Sequence, residues 1–235
     1  MSIYAHCLVK NEENFIWYSV ASVVEYVDKV MIWDNGSSDN TIKVIEALKN
    51  RWPSKIDFKK FSGEVSEARQ QMIGVTDADW FIILDGDEVW WNESIKKLVA
   101  VINEDGKNLD SIVVPFKNLT RDMFHFQDEG KGKYKIDEKE GFLTIKAINM
   151  KIENLHIGNE YPFEGYFGKN NIPIQNLISK RRVFLETPYL HLTHLRRSSK
   201  KSEKIKKRNG LSFPLDFYYP EVFFRPRPDF ILTPW

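Results

Sequence analysis

The sequence predicts an α/β protein with a mostly parallel central sheet flanked by helices. Short apolar runs alternate with segments of helical apolar spacing through the first half of the chain. Strands separated by single helices pair in parallel through right-handed crossovers. The composition, 42% hydrophobic and 29% charged over 235 residues, belongs to a folded domain with one sizeable core, not to a disordered chain.

The elements follow in order. Ile3 to Val9 is a short apolar run and reads as a strand. Asn11 is placed to cap a helix with Glu12 and Glu13 in its first turn, and Ile16, Val20, Val23, Val24 and Val27 then recur at helical spacing. Lys29 to Trp33 is a second buried strand, and the cluster Asp34-Asn35-Gly36-Ser37-Ser38-Asp39 is a turn leading into a helix from Asn40 to Lys49. Ile56 to Phe61 is a third strand, a helix runs through Ala68, Met72 and Val75, and Trp80 to Leu84 is the fourth and most apolar strand. Beyond it, Asn92 to Asn103 reads as helix and Ser111 to Phe116 as strand. Thr120 to Gly141 reads as a long polar loop. Phe142 to Met150 and Tyr189 to Leu195 read as strands, while Phe213 to Trp235 is rich in proline and aromatics with little helical pattern.

In parallel sheets ligands gather beyond the carboxyl ends of the strands. Lys10-Asn11-Glu12, Asp34-Asn35 and Asp85 to Glu88 therefore converge on one cleft. Asp85-Gly86-Asp87-Glu88 places three carboxylates within four residues, which repel one another unless a cation sits among them. Carboxylate oxygens are hard ligands suited to Mg2+ or Mn2+.

The motifs Leu8-Val9-Lys10-Asn11-Glu12-Glu13, Trp33 to Thr41, Ser66-Glu67-Ala68-Arg69 and Leu84 to Glu88 together resemble those of the family 2 glycosyltransferases, which have the GT-A fold. The resemblance covers residues 1 to 105 well and continues weakly to residue 197. It implies a GT-A-like domain over 1–197 with a small C-terminal extension over 198–235. It also implies sugar transfer, with inversion, from a UDP-, GDP- or dTDP-linked donor to a carbohydrate, protein or lipid-linked acceptor. On that resemblance Lys10, Asn11, Glu12, Asp34, Asn35, Arg69 and Asp85 contact the nucleotide sugar. Asp85 and Asp87 hold Mn2+ or Mg2+, Asp87 serves catalysis through it, and one of His191 and His194 joins as a late metal ligand. An inverting transfer needs a base. Glu164, flanked by aromatics and glycine in Tyr161 to Tyr166, is the candidate, with Asp128, Glu129 and Glu160 as competitors.

A glycosidase would also need two carboxylates but not the clusters at the other strand ends. A nucleotidyltransferase usually opens with a glycine-rich loop where this chain has Lys10-Asn11-Glu12, and a non-catalytic binding module would not require the acidic motif. The net charge of +1 gives no global attraction to nucleic acid. The charge is uneven, however. Arg196 to Arg208 holds eight basic residues and one acid, +7 on a chain that is otherwise −6. That run and the aromatics after it suit either the donor diphosphate and core, or peripheral contact of 196–235 with an anionic membrane face. Cys7 is the sole cysteine, and no leader-like or membrane-length apolar run is visible, so a cytoplasmic setting is expected.

Overall fold

A computed structural model of the chain describes residues 1–159, 164–177, 179–200, 212–214 and 218–231. Glu160, Tyr161 to Phe163, most of the basic run, Phe217 and Trp235 lie outside the described residues.

The first half is the predicted βα alternation. It comprises β1 (Ile3–Val9), α1 (Ile16–Val23), β2 (Lys29–Asp34), α2 (Thr41–Arg51), β3 (Ile56–Lys60), α3 (Val65–Gly74) and β4 (Trp80–Leu84). These four strands pair in parallel in the order β3-β2-β1-β4. The chain thus moves outward from β1 to β3 and then jumps back to β1's other side, and a crevice opens where strand order reverses. Register brings the strand ends level, with Val9 beside Asp34 and Cys7 beside Leu84.

Alternation in β4 explains its apolar run. Trp80, Ile82 and Leu84 join the core shared with α1. Phe81 faces the other side, with Ile83 packed beside it. Helix α1 is buried at every position because the sheet, α2 and the C-terminal segment cover it.

One local expectation is corrected here. Asn11 does not cap α1, which begins after Phe15 without a side-chain cap. Asn11 instead adopts a left-handed backbone (φ 57°), and its side chain serves the β2 loop. The acidic motif is not wholly loop, since Glu88 opens a short buried strand, β5 (Glu88–Trp90).

The second half is antiparallel and more irregular. It adds α4 (Asn92–Asp105), β6 (Ser111–Thr120), β7 (His125–Gln127), β8 (Tyr134–Ile136), β9 (Lys139–Gly141) and β10 (Leu143–Asn149). Next come β11 (His156–Gly158), β12 (Gly165–Gly168), β13 (Ile172–Pro173), β14 (Arg182–Phe184), β15 (Tyr189–His194) and β16 (Ser212–Pro214). β10 joins β4 antiparallel and carries the sheet on to β6, β7 and β16. The expected long loop over 120–141 thus contains β7 and the β8–β9 hairpin. These strands are only three residues each, too short to give an alternation signal.

Past β15 the described chain returns to the same core. Val222, Phe223 and Ile231 are buried there, and the Phe223 ring meets Tyr18 of α1 edge-on at 5.0 Å. Other aromatics of this segment remain exposed, Tyr218 at 93%. No helix among the described residues is long and apolar enough to cross a membrane.

Candidate active site

The β2 end of the cleft is built from backbone. Asp34 is buried, and its Oδ2 accepts the N–H groups of Gly36 (3.2 Å) and Ser37 (3.1 Å). Gly36 has φ +77°, a conformation that glycine adopts at little cost. Asp34 Oδ1 is buried and has no hydrogen-bond partner among the described residues. It sits at the carboxyl end of β2. Asn11 locks the β1 and β2 loops together. Its N–H donates to Ser37 Oγ, and its Oδ1 accepts the Ser38 N–H, both at 2.8 Å. Lys10 is exposed and Asn35 half-buried at the same edge.

Gly86 lets the acidic loop pass against β1. A Cβ there would lie 2.8 Å from Glu12 Cγ and 3.0 Å from Val9 Cγ1. The three carboxylates then part company. Asp85 pairs with Arg69 of α3 at 3.4 Å. Burial pushes its carboxyl up, but Lys146, Arg69 and His191 outweigh that and hold it below its ordinary range. Arg69 also donates to Tyr166 Oη at 3.4 Å.

Glu88 turns away from the cleft. Both its oxygens accept from Lys146 Nζ at 2.6 Å, and Oε2 also accepts the Asp85 N–H at 3.1 Å. Its role is therefore to hold the loop. Asp87 is 4% exposed at its side chain, with Oδ1 3.7 Å from His191 Nε2 and Oδ2 3.6 Å from Arg197. The short pairing of β5 with β15 brings His191 there, and Leu192 N–H donates to the Asp87 carbonyl at 2.8 Å. His194 is also buried on β15, beyond a register shift that separates it from His191.

On the far side of Asp85, a cavity of about 370 Å³ is lined by Arg69, Asp85, Lys146, Glu164 and Tyr166. Glu164 Oε2 is buried with no hydrogen-bond partner among the described residues. Asp128 and Glu129 lie on the loop after β7 instead.

A family model described as Glycosyl transferase family 2 matches residues 8–159, which carry the β1, β2, α3 and β4 motifs of this cleft. The chain belongs to that family.

This family 2 chain is 31% identical over 81 residues to a TPR repeat-containing protein of Synechococcus elongatus, covering 34% of this chain and 19% of that one. It is 25% identical over 142 residues to the prophage-derived glycosyltransferase SunS of Bacillus subtilis, covering 56% of this chain and 33% of SunS. Its fold is similar to the crystal structure of S. aureus TarS 1-349, with a TM-score of 0.51 at 14% identity over 82% of this chain and 61% of that one. That likeness is one of fold, and the fold is GT-A. The chain spans at most a third of the length of the two sequence relatives, 19% and 33%.

A metal in this family 2 chain would find a small donor set. Among the described residues, no three of His, Cys, Asp and Glu come together to hold an ion. The four proposed ligands are thus not one cluster. Asp85 is engaged by Arg69, while Asp87 and His191 face each other across 3.7 Å. One carboxylate and one imidazole fit a cation that takes its remaining ligands from substrate phosphates and water, since Mg2+ at nucleotides is held by as few as one or two protein carboxylates. The imidazole favours Mn2+ of the two.

Lys146 is the residue that sequence reasoning left without a place in the site, and Arg197 had one only as a member of the basic run offered to the donor diphosphate. A lysine inside the apolar strand Leu143 to Ile148 was the available signal for the first, since lysine is buried only when paired.

Proposed function

We propose that this chain transfers a glycosyl group from a nucleoside-diphosphate sugar to an acceptor hydroxyl, with inversion and with Mn2+ or Mg2+. The observation that carries this reading is the gathering of Asp34, Arg69, Asp85, Asp87 and His191 at the carboxyl ends of β1, β2 and β4 in a family 2 chain. Asp34 Oδ1 accepts from the base or ribose. Arg69, anchored by Asp85 and Tyr166, offers its guanidinium to the anionic donor. Asp87 and His191 hold the cation. When bound, the cation stabilises negative charge on the departing nucleoside diphosphate. Glu164, which lines the adjoining cavity, takes the proton of the acceptor hydroxyl.

The test is a panel of UDP-, GDP- and dTDP-sugars incubated with Mn2+. One donor is expected to be hydrolysed slowly without acceptor, which would name it. No hydrolysis of any donor, together with cleavage of simple glycosides, would make the protein a glycosidase instead.

A further inference from the structure

After β15 the chain crosses the mouth of the cleft, and it is tied down there. Asn14 donates from its N–H to the Arg197 carbonyl (3.1 Å) and from Nδ2 to the Arg196 carbonyl (2.8 Å). Ser198 Oγ donates to Asp39 Oδ2 (2.6 Å), and Ser199 N–H donates to Glu13 Oε1 (2.5 Å). These bonds fix residues 196–199 against the loops that follow β1 and precede α2. They deliver the Arg197 guanidinium to two carboxylates at once, Glu12 Oε1 at 2.7 Å and Asp87 Oδ2 at 3.6 Å. Both acids are buried, with side chains 6% and 4% exposed, while Arg197 keeps 31% of its surface in solvent.

Two buried carboxylates this close need positive charge nearby. Arg197 supplies it at one oxygen of Asp87, while the other oxygen faces His191. A divalent cation coming alone to Asp87 therefore meets a carboxylate already neutralised and a fixed positive charge beside it. A cation arriving with a nucleoside diphosphate brings anionic oxygens that a planar guanidinium can bind in place of Glu12 and Asp87.

We propose that Arg197 is a stand-in cation, neutralising Glu12 and Asp87 in the donor-free protein so that metal and nucleotide load together and metal alone binds weakly. This rests on the metal reading given above for Asp87 and His191. Because coupling between two ligands is reciprocal, nucleotide must tighten metal by the same factor that metal tightens nucleotide.

The experiment is Mn2+ binding followed by electron paramagnetic resonance, without nucleotide and with UDP, GDP and dTDP in turn. Wild-type protein is expected to bind Mn2+ weakly alone and at least about tenfold more tightly with one of the three nucleotides, a coupling of about 1.4 kcal/mol. Arg197→Gln is expected to bind Mn2+ alone about tenfold more tightly than wild type, and to show less gain from nucleotide. Arg197→Lys, which keeps the charge, stays near wild type. Equal Mn2+ affinity in wild type and Arg197→Gln would overturn the stand-in role and leave the metal reading intact. So would tight Mn2+ binding by wild type without nucleotide, a result that needs no variant to fold. Absence of Mn2+ binding under every condition would overturn both.

Discussion

The two walls of the cleft hold their polar groups in different ways. On the wall formed by β1, β2 and α2, side chains bond chiefly to backbone N–H groups and small hydroxyls. Asp34 takes Gly36 and Ser37, Asn11 takes Ser38, and Asp39 takes the Thr41 N–H. On the wall formed by β4, β10 and β15, charges are satisfied largely by other charges. Arg69 meets Asp85, Lys146 meets Glu88, and Arg197 meets Glu12 and Asp87. The first arrangement combines a tight turn at Asp34 with hydrogen bonds between the β1 and β2 loops. The second depends on the whole sheet being assembled, and removing any member strands a charge of the opposite sign. The β1–β2 wall thus rests on neutral hydrogen bonds, while the β4–β10–β15 wall is a network of charges.

That contrast can be broken most forcefully at the buried pair. Lys146→Met leaves the Glu88 carboxylate, with its side chain 2% exposed, without its cation, and should cost about 3–5 kcal/mol of unfolding free energy. Ser37→Ala on the opposite wall removes one hydroxyl acceptor of Asn11 and should cost only about 1 kcal/mol. Equal losses in denaturant melts would erase the distinction. Next in size, Glu164→Gln should lower the rate of transfer by about 10²–10⁴-fold with donor affinity unchanged, measured as kcat against donor Kd. Asp34→Ala and Arg69→Ala should each weaken nucleoside diphosphate binding by about 1–3 kcal/mol, read by calorimetry. Unchanged affinity in both would put the nucleotide elsewhere.

The smallest effect comes from the buried body of β1, behind the loops of the cleft. His6 lies in β1, stacked on Phe81 at 4.4 Å, with Nε2 2.7 Å from Thr76 Oγ1. Burial, aided by the Arg69 charge, lowers its pKa from 6.5 to about 3. The unfolded chain takes up this proton below pH 6.5 while the folded one does not until about pH 3, so stability falls as pH drops through that window. The loss from pH 7 to pH 6 should be about 0.7 kcal/mol, and His6→Phe should abolish that share of the pH dependence. A slope unaffected by the substitution would mean that His6 titrates normally in the fold.

The first wall was legible in the sequence where its logic is local. A strand, a turn cluster and a helix in succession place Asp34 and Asp85 at strand ends, and the topological rule brings those ends together. β4 was legible to the residue, since Trp80 to Leu84 is apolar on both faces and both are covered. The second wall was only partly legible. Asp87, His191 and Glu164 could be named as candidates, but their partners depend on β5 pairing with β15 and on β10 lying beside β4. A three-residue strand such as β5 leaves no periodic trace. Asn11 was misread for a related reason: a residue that looks like a helix cap instead bonds a loop 27 positions away.

The central claim is that the β4 end of this cleft binds a nucleoside diphosphate through a metal on Asp87. Calorimetry of the preferred nucleoside diphosphate against wild type and Asp87→Asn, each with Mn2+ and with excess chelator, tests it most directly. The account predicts that chelator weakens binding to wild type at least about tenfold, a coupling of about 1.4 kcal/mol, and that Asp87→Asn binds equally weakly with or without Mn2+. Wild-type affinity unchanged by chelator, or a full Mn2+ response in Asp87→Asn, would contradict it.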